Sequence, residues 1–158
     1  MATEQAAQLK AEVDEQKQQQ EVQQIAFSAG LLASGGNAIT IGPLPADTPL
    51  IFKYVPTNIG NAYNSNTGVF TAPVRGAYHF EWTVSSNKGQ ESGGWLVKNS
   101  ANVFLAYQDG SGWMTSSKAA TLLLEVGDVV FVRLMPNTVV FDNLNHHTTF
   151  SGHLLFPM

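Results

Sequence analysis

From Gly76 to Val84 a large apolar residue stands on every second position: Tyr78, Phe80, Trp82 and Val84 alternate with Ala77, His79, Glu81 and Thr83. Side chains on an extended strand point to opposite faces in turn, so the three rings fall on one face and the polar groups on the other. An aromatic face of this size needs a second apolar layer against it. The chain is thereby committed to a layered β structure.

The remaining sequence agrees. From Ile25 onward the clusters Ser34-Gly35-Gly36-Asn37, Asn64-Ser65-Asn66, Asn87-Lys88-Gly89 and Asp109-Gly110-Ser111-Gly112 separate short apolar runs, the spacing of strands and turns. Besides Gly76–Val84, strands are predicted at Ile25–Ala29, Leu50–Tyr54, Gly68–Ala72, Gly94–Lys98, Val103–Tyr107, Ala120–Val126, Val129–Leu134, Val139–Asp142 and Thr149–Phe156. About ten strands without intervening helices make a sandwich or jelly roll. Val129–Leu134 is apolar on both faces, so its second face must be covered either by a neighbouring subunit or by loops.

Residues 1–24 read differently. They are rich in Ala, Gln, Glu and Lys and contain no Gly or Pro, a composition that favours helix. Ala6, Val13 and Gln20 on one seam position and Ala2, Leu9 and Gln16 on the other give the alternating spacing of a coiled coil. Only Leu9 and Val13 are strong seam residues, so the arm needs parallel partners held in register by the body, residues 25–158.

The formal charge is −4, of which residues 1–24 carry five acids and two bases, leaving the body nearly neutral. A nucleic-acid or anionic-membrane partner needs a basic footprint, which this body lacks. There is no cysteine, which excludes disulfides, thiolate zinc sites and cysteine nucleophiles. No apolar run reaches the length of about 20 residues that a spanning helix needs or forms a secretory leader at the N-terminus, so any export is expected to be non-classical or to use a leader outside this chain.

Phe52, Asn58, Tyr63, Phe70, Gly76, Tyr78, Phe80 and Trp82 succeed one another at intervals that resemble the signature of the globular C1q domain, in the C1q/tumour necrosis factor superfamily. Trp82 departs from it in type, since Phe or Tyr is usual there, but remains aromatic. Ala26-Phe27-Ser28-Ala29 resembles the family's opening strand, Leu124-Glu125-Val126-Gly127-Asp128 its turn before a central strand, and Phe150-Ser151-Gly152-His153-Leu154-Leu155-Phe156-Pro157 its closing strand. The resemblance covers residues 25–158. It implies an all-β, ten-stranded jelly-roll protomer that forms a homotrimer. Many members carry a collagen-like stem; here the short helical arm stands in its place, with no Gly-x-y repeat.

Candidate chemistry is sparse. His79, His146, His147 and His153 are the only imidazoles, and no Gly-x-Ser-x-Gly motif accompanies them, so no enzyme is expected. The adjacent His146 and His147 point oppositely in an extended segment, which argues against a shared metal. Some relatives of the family bind calcium near the threefold apex. That implies Asp109, Asp142 and Asn143 as tentative calcium ligands here, although Met114 stands where calcium-binding relatives have Asp, and calcium needs six or more oxygens. Trp113 comes directly after Gly110-Ser111-Gly112 and is placed at a loop surface, whereas Trp95 is expected to face the core.

The resemblance and the residues together imply a trimeric recognition module that binds a protein, receptor or glycan through loop surfaces, with Asp109, Trp113, His146 and His147 as tentative ligand-binding residues. The resemblance places it outside the cell, with a role in innate immunity and no insertion into membranes. The alternative is a signalling ligand of the tumour necrosis factor kind, bound by receptors at the grooves between protomers.

Overall fold

The structure, a computed structural model, describes residues 1–22 and 24–158, and the side chains of residues 1–18 and 24–158. One helix, α1 (Ala2–Val22), opens the chain, with Glu4 in its first turn where a carboxylate suits the positive end of the helix dipole. Its residues are exposed from Met1 to Gln18, including the predicted seam residues Leu9 and Val13. The side chain of Gln20 and the whole of Gln23, next to the expected end of the arm at Gln24, lie outside the described residues.

Thirteen strands complete the chain: β1 (Ala26–Gly30), β2 (Ala38–Ile41), β3 (Thr48–Pro49), β4 (Tyr54–Ile59), β5 (Tyr63–Asn64), β6 (Val69–Thr71), β7 (Gly76–Ser86), β8 (Ser92–Lys98), β9 (Ala101–Gln108), β10 (Met114–Leu124), β11 (Val129–Leu134), β12 (Val140–Asn143) and β13 (Thr149–Pro157). They form two main antiparallel sheets. The first runs in the order β10-β7-β13-β1-β4. The second runs β5-β6-β11-β8-β9, with β3 also paired to β11. β2 and β12 make a separate two-stranded ribbon. This is the all-β jelly-roll sandwich read from the sequence, with its approximate strand count raised by pieces of two to four residues.

The differences have local causes. β2, β3 and β5 are too short to show a period, and each exists because its backbone pairs with a neighbouring strand. Leu50 and Phe52 alternate in burial as a strand would, yet the regular strand begins only at Tyr54. β4 lies at the end of its sheet, which is where Pro56 is tolerated. β10 starts six residues before the predicted Ala120, because Met114 to Ala119 pair with Ser86 to Glu81 of β7 through the backbone although their side chains show no apolar alternation.

The core lies between the two main sheets. Tyr78, Phe80, Trp82 and Val84 are fully buried, as the alternation requires. Phe27 stacks on Tyr63 at 4.8 Å between ring centroids and meets Phe150 edge-on at 5.0 Å. Phe70 packs edge-on against both Tyr78 and Phe80. Buried aromatics of this kind contribute beyond the area they remove from water. On β11, Val130, Val132 and Leu134 are buried while Val129, Phe131 and Arg133 stay half-buried on the outer face. There the Arg133 guanidinium lies 5.5 Å over the Phe131 ring.

Trp95 does not face the core. It pairs in register with Arg133 of β11 and Leu105 of β9, on the face opposite Gly94 and Leu96, and is half-buried. The inward position belongs to Gly94, where an added Cβ would come within 2.7 Å of the Val84 side chain. A glycine there lets β8 approach β7 closely enough to receive the Trp82 indole.

Candidate functional site

The signature residues form a connected framework. Asn58 donates from Nδ2 to the Tyr63 carbonyl at 2.8 Å and accepts from the Tyr63 N–H at 3.4 Å, which closes the loop between β4 and β5. The Tyr63 hydroxyl donates to the Phe52 carbonyl at 2.7 Å, and burial pushes its phenol far above the usual range. Gly76 sits where a Cβ would stand 2.5 Å from the Phe156 carbonyl oxygen, so the start of β7 can meet the end of β13 only through a residue without a side chain. All of this positions loops.

Two connections carry predicted site residues, Asp109–Trp113 between β9 and β10 and Leu144–Thr148 between β12 and β13, and a third, Asn87–Glu91 between β7 and β8, adjoins them; Asp142 and Asn143 end β12. Taken in chain order, each of the three is tied to its neighbours. The first two meet through the Gly89 N–H, which donates to the Gly112 carbonyl at 3.0 Å, and through Gln108, whose Nε2 donates to the Gln90 carbonyl at 2.8 Å. The third is joined by Ser85, whose hydroxyl donates to the His147 carbonyl at 3.0 Å and sits 2.9 Å from the Thr115 hydroxyl. Loops distant in sequence thus share one end of the sandwich.

Asp142 organises the third loop. It is fully buried. Its Oδ1 accepts from the backbone N–H of His147 at 2.6 Å and of Thr148 at 3.3 Å; its Oδ2 accepts from the Leu32 N–H at 2.8 Å and lies 3.0 Å from His146 Nδ1. A buried carboxylate needs such donors to remain charged. Asn143 acts in the same turn, with Oδ1 accepting from the Asn145 N–H at 2.8 Å.

The two adjacent histidines point apart. His146, in the left-handed region at φ 55°, lays its ring flat on Tyr54 at 4.1 Å and closes over Gly30. His147 turns the other way, 5.2 Å from the Trp113 ring and 6.2 Å from Phe141. Trp113 stands edge-on to Phe141 at 5.4 Å and keeps 53% of its surface exposed. Trp113 and His147 are therefore brought together, whereas Asp109 lies apart on the shoulder of the loop, its Oδ1 accepting from the Ser111 hydroxyl at 3.1 Å. Partial burial, and then the Glu91 and Asp109 carboxylates beside it, raises the Tyr107 phenol above its ordinary value.

The calcium candidates implied by the resemblance are each hydrogen-bonded within their own turns. Both oxygens of Asp142 are engaged inside the turn, Asn143 Oδ1 is engaged by Asn145, and Asp109 is tied to Ser111. Among the described residues no three His, Cys, Asp or Glu side chains converge as a metal site would require. The other two histidines lie on the outer face of the first sheet. His79 contacts Thr121 and Glu81 and lies 5.7 Å from the ring of His153.

Reading along the sequence placed Trp113 and His147 at a surface but missed Phe141, Tyr54 and Ser85, which hold them and their neighbour His146. Nothing in linear spacing marks those three, since each meets its partner from another part of the chain. Asp142 was singled out by residue type; its carboxylate is buried and accepts from the N–H groups of Leu32, His147 and Thr148, which the linear sequence does not mark.

No helix among the described residues is long and apolar enough to cross a membrane. In sequence the chain is 35% identical over 136 residues to complement C1q tumor necrosis factor-related protein 3 of Mus musculus, covering 84% of this chain and 52% of that protein. It is 34% identical over 111 residues to complement C1q tumor necrosis factor-related protein 6 of Rattus norvegicus, covering 67% and 42%. The chain thus spans about half the length of the curated relatives it matches. In structure it is similar to the globular domain of zebrafish complement 1qA protein, with a TM-score of 0.63 at 21% identity over 85% of this chain and 99% of that one. It is also similar in fold to murine APRIL, with a TM-score of 0.65 at 11% identity over 84% and 99%. The family model of the C1q domain matches residues 26–155, and the chain belongs to the C1q domain family.

Proposed function

We propose that this chain is a homotrimeric, non-catalytic recognition head that binds an extracellular protein or glycan through the loop end of the sandwich. The observation that carries the reading is Trp113: more than half exposed, yet held edge-on by Phe141 and His147 from a different part of the chain. A rigid aromatic in a fixed pose loses little freedom on binding, which is what makes such residues strong contact points. His147 beside it adds a polar group, and Asp109 adds a carboxylate on the shoulder of the same loop. Trimers are typical of this fold family. Three copies of one weak site on a common axis gain affinity by avidity. The extracellular setting and the link to innate immunity rest on family membership alone, and the arm of residues 1–24 is read as a short parallel coil that is held in register by the trimer of heads.

The intact protein probed on glycan and protein arrays tests this. The reading expects a bound ligand whose signal falls at least about tenfold in Trp113→Ala, with an unchanged melting temperature. If substitutions at protomer edges abolish binding and Trp113→Ala does not, receptor capture at the grooves, as in tumour necrosis factor-like ligands, replaces it.

A further inference from the structure

A second concavity lies between the Leu31–Ile41 segment and the run from Thr48 to Lys53. It encloses about 370 Å³, within the range of about 300–1,000 Å³ typical of small-molecule sites. Leu31, Leu32, Ile39, Ile41 and Ile51 supply apolar walls, and Lys53 is the only charged residue in the lining. The hydroxyl of Thr48 is turned away into a hydrogen bond with the Ala46 carbonyl at 3.1 Å. The acid nearest in sequence, Asp47, lies 3.7 Å from Arg133 instead, and Lys53 has no carboxylate partner among the described residues. An apolar crevice with one unpaired ammonium is complementary to one class of small molecule.

We infer that this crevice binds a free aliphatic monocarboxylate, with the chain against the leucine and isoleucine walls and the carboxylate on Lys53. Burial of each methylene contributes about 0.8 kcal/mol, so a chain of medium length supplies the affinity. The charge pair, exposed and screened, supplies the preference for an acid over a neutral or cationic head group. A lysine at the rim can lay its stem along apolar surface while its ammonium stays in water. The crevice shares no lining residue with the loop surface of Trp113, Phe141 and His147.

Decanoate below its micellar concentration, titrated calorimetrically into the full chain, tests the inference, with decan-1-ol and decyltrimethylammonium as controls. Saturable binding of one decanoate per chain is expected, about fivefold tighter than the alcohol. Lys53→Met should bring acid and alcohol within about twofold of each other while alcohol binding persists. Ile41→Trp, which fills the crevice, should abolish both. Absence of saturable binding, equal binding of the cationic probe, or a preference for decanoate that survives in Lys53→Met would overturn the inference. Capture by phosphatidylcholine vesicles without decanoate binding would overturn it in favour of a membrane surface. Loss of the oligomer in Ile41→Trp, again without decanoate binding, would overturn it in favour of a second copy covering the crevice.

Discussion

The indole Nε1 of Trp82 donates to the carbonyl oxygen of Gly94 at 2.8 Å, and this bond ties β7 in one sheet to β8 in the other through the fully buried core. Trp82 is the position where the chain departs in residue type from the family pattern it otherwise keeps. The departure carries its own partner: an indole donor requires an acceptor, and Gly94 supplies one by letting the strand come close.

Trp82→Phe should therefore destabilise the protein even though the ring remains aromatic. The substitution leaves the Gly94 carbonyl buried without this donor, which costs about 1–3 kcal/mol before any loss of packing. The measurement is a denaturant midpoint at fixed protein concentration, since an oligomer's stability depends on concentration. An unchanged midpoint would mean that the bond contributes nothing.

Alkali should unfold the protein partly through Tyr63. Its phenol is raised in the folded state by burial, so folding favours the protonated form. The stability this confers is fully present below the unfolded phenol value of about 10 and is lost as pH rises beyond it. Tyr63→Phe has no proton to lose, so its stability should fall less steeply above about pH 10 than that of the parent chain. It should also be less stable at neutral pH, having lost the bond to the Phe52 carbonyl. Parallel alkaline titrations of the two unfolding curves check both points.

Asp142→Asn should loosen the loop that presents His147. An amide offers one acceptor oxygen where the carboxylate offers two, and the N–H groups of Leu32, His147 and Thr148 all depend on them. Each bond to the charged group is worth about 1.5–3 kcal/mol. Amide hydrogen exchange should accelerate at Leu32, His147 and Thr148 ahead of the core strands, and protection unchanged at those residues would refute this role.

The three tryptophans should separate by quenching. Trp82 is fully buried, Trp95 half-buried and Trp113 more than half exposed, so acrylamide should quench Trp113 first. Trp113→Phe should remove the most accessible and most red-shifted part of the emission with little change in stability, because an exposed side chain contributes little. Retention of that component would place Trp113 in the interior.

If the chain trimerises as proposed, deleting residues 1–24 should leave the assembly intact. Leu9 and Val13 are the only strong apolar residues at the predicted seam, and burying each contributes at most about 1.5–3 kcal/mol before the entropy of ordering is subtracted. Light scattering should give three times the mass of the shortened chain. A monomer under conditions where the full 17.0 kDa chain is trimeric would show that the arm drives assembly.

The alternation through Gly76–Val84, the turn clusters and the spacing from Phe52 to Trp82 were enough to read the layered β fold and its core, because a period of two and a buried ring are properties of consecutive residues. What linear spacing could not show is pairing. The polar first half of β10 is a strand because β7 lies beside it, and Trp95 faces outward because Gly94 takes the inward position on β8. Asp142 stood out by type alone, and which N–H groups its buried carboxylate accepts from depends on Leu32, far away in the chain, as well as on its own turn. Trp113 and His147, distant in sequence, meet only because their loops leave the same end of the sandwich. Local chemistry determines which residues must be buried or exposed, whereas the direction in which a polar side chain makes its hydrogen bonds depends on neighbours that folding alone brings within reach.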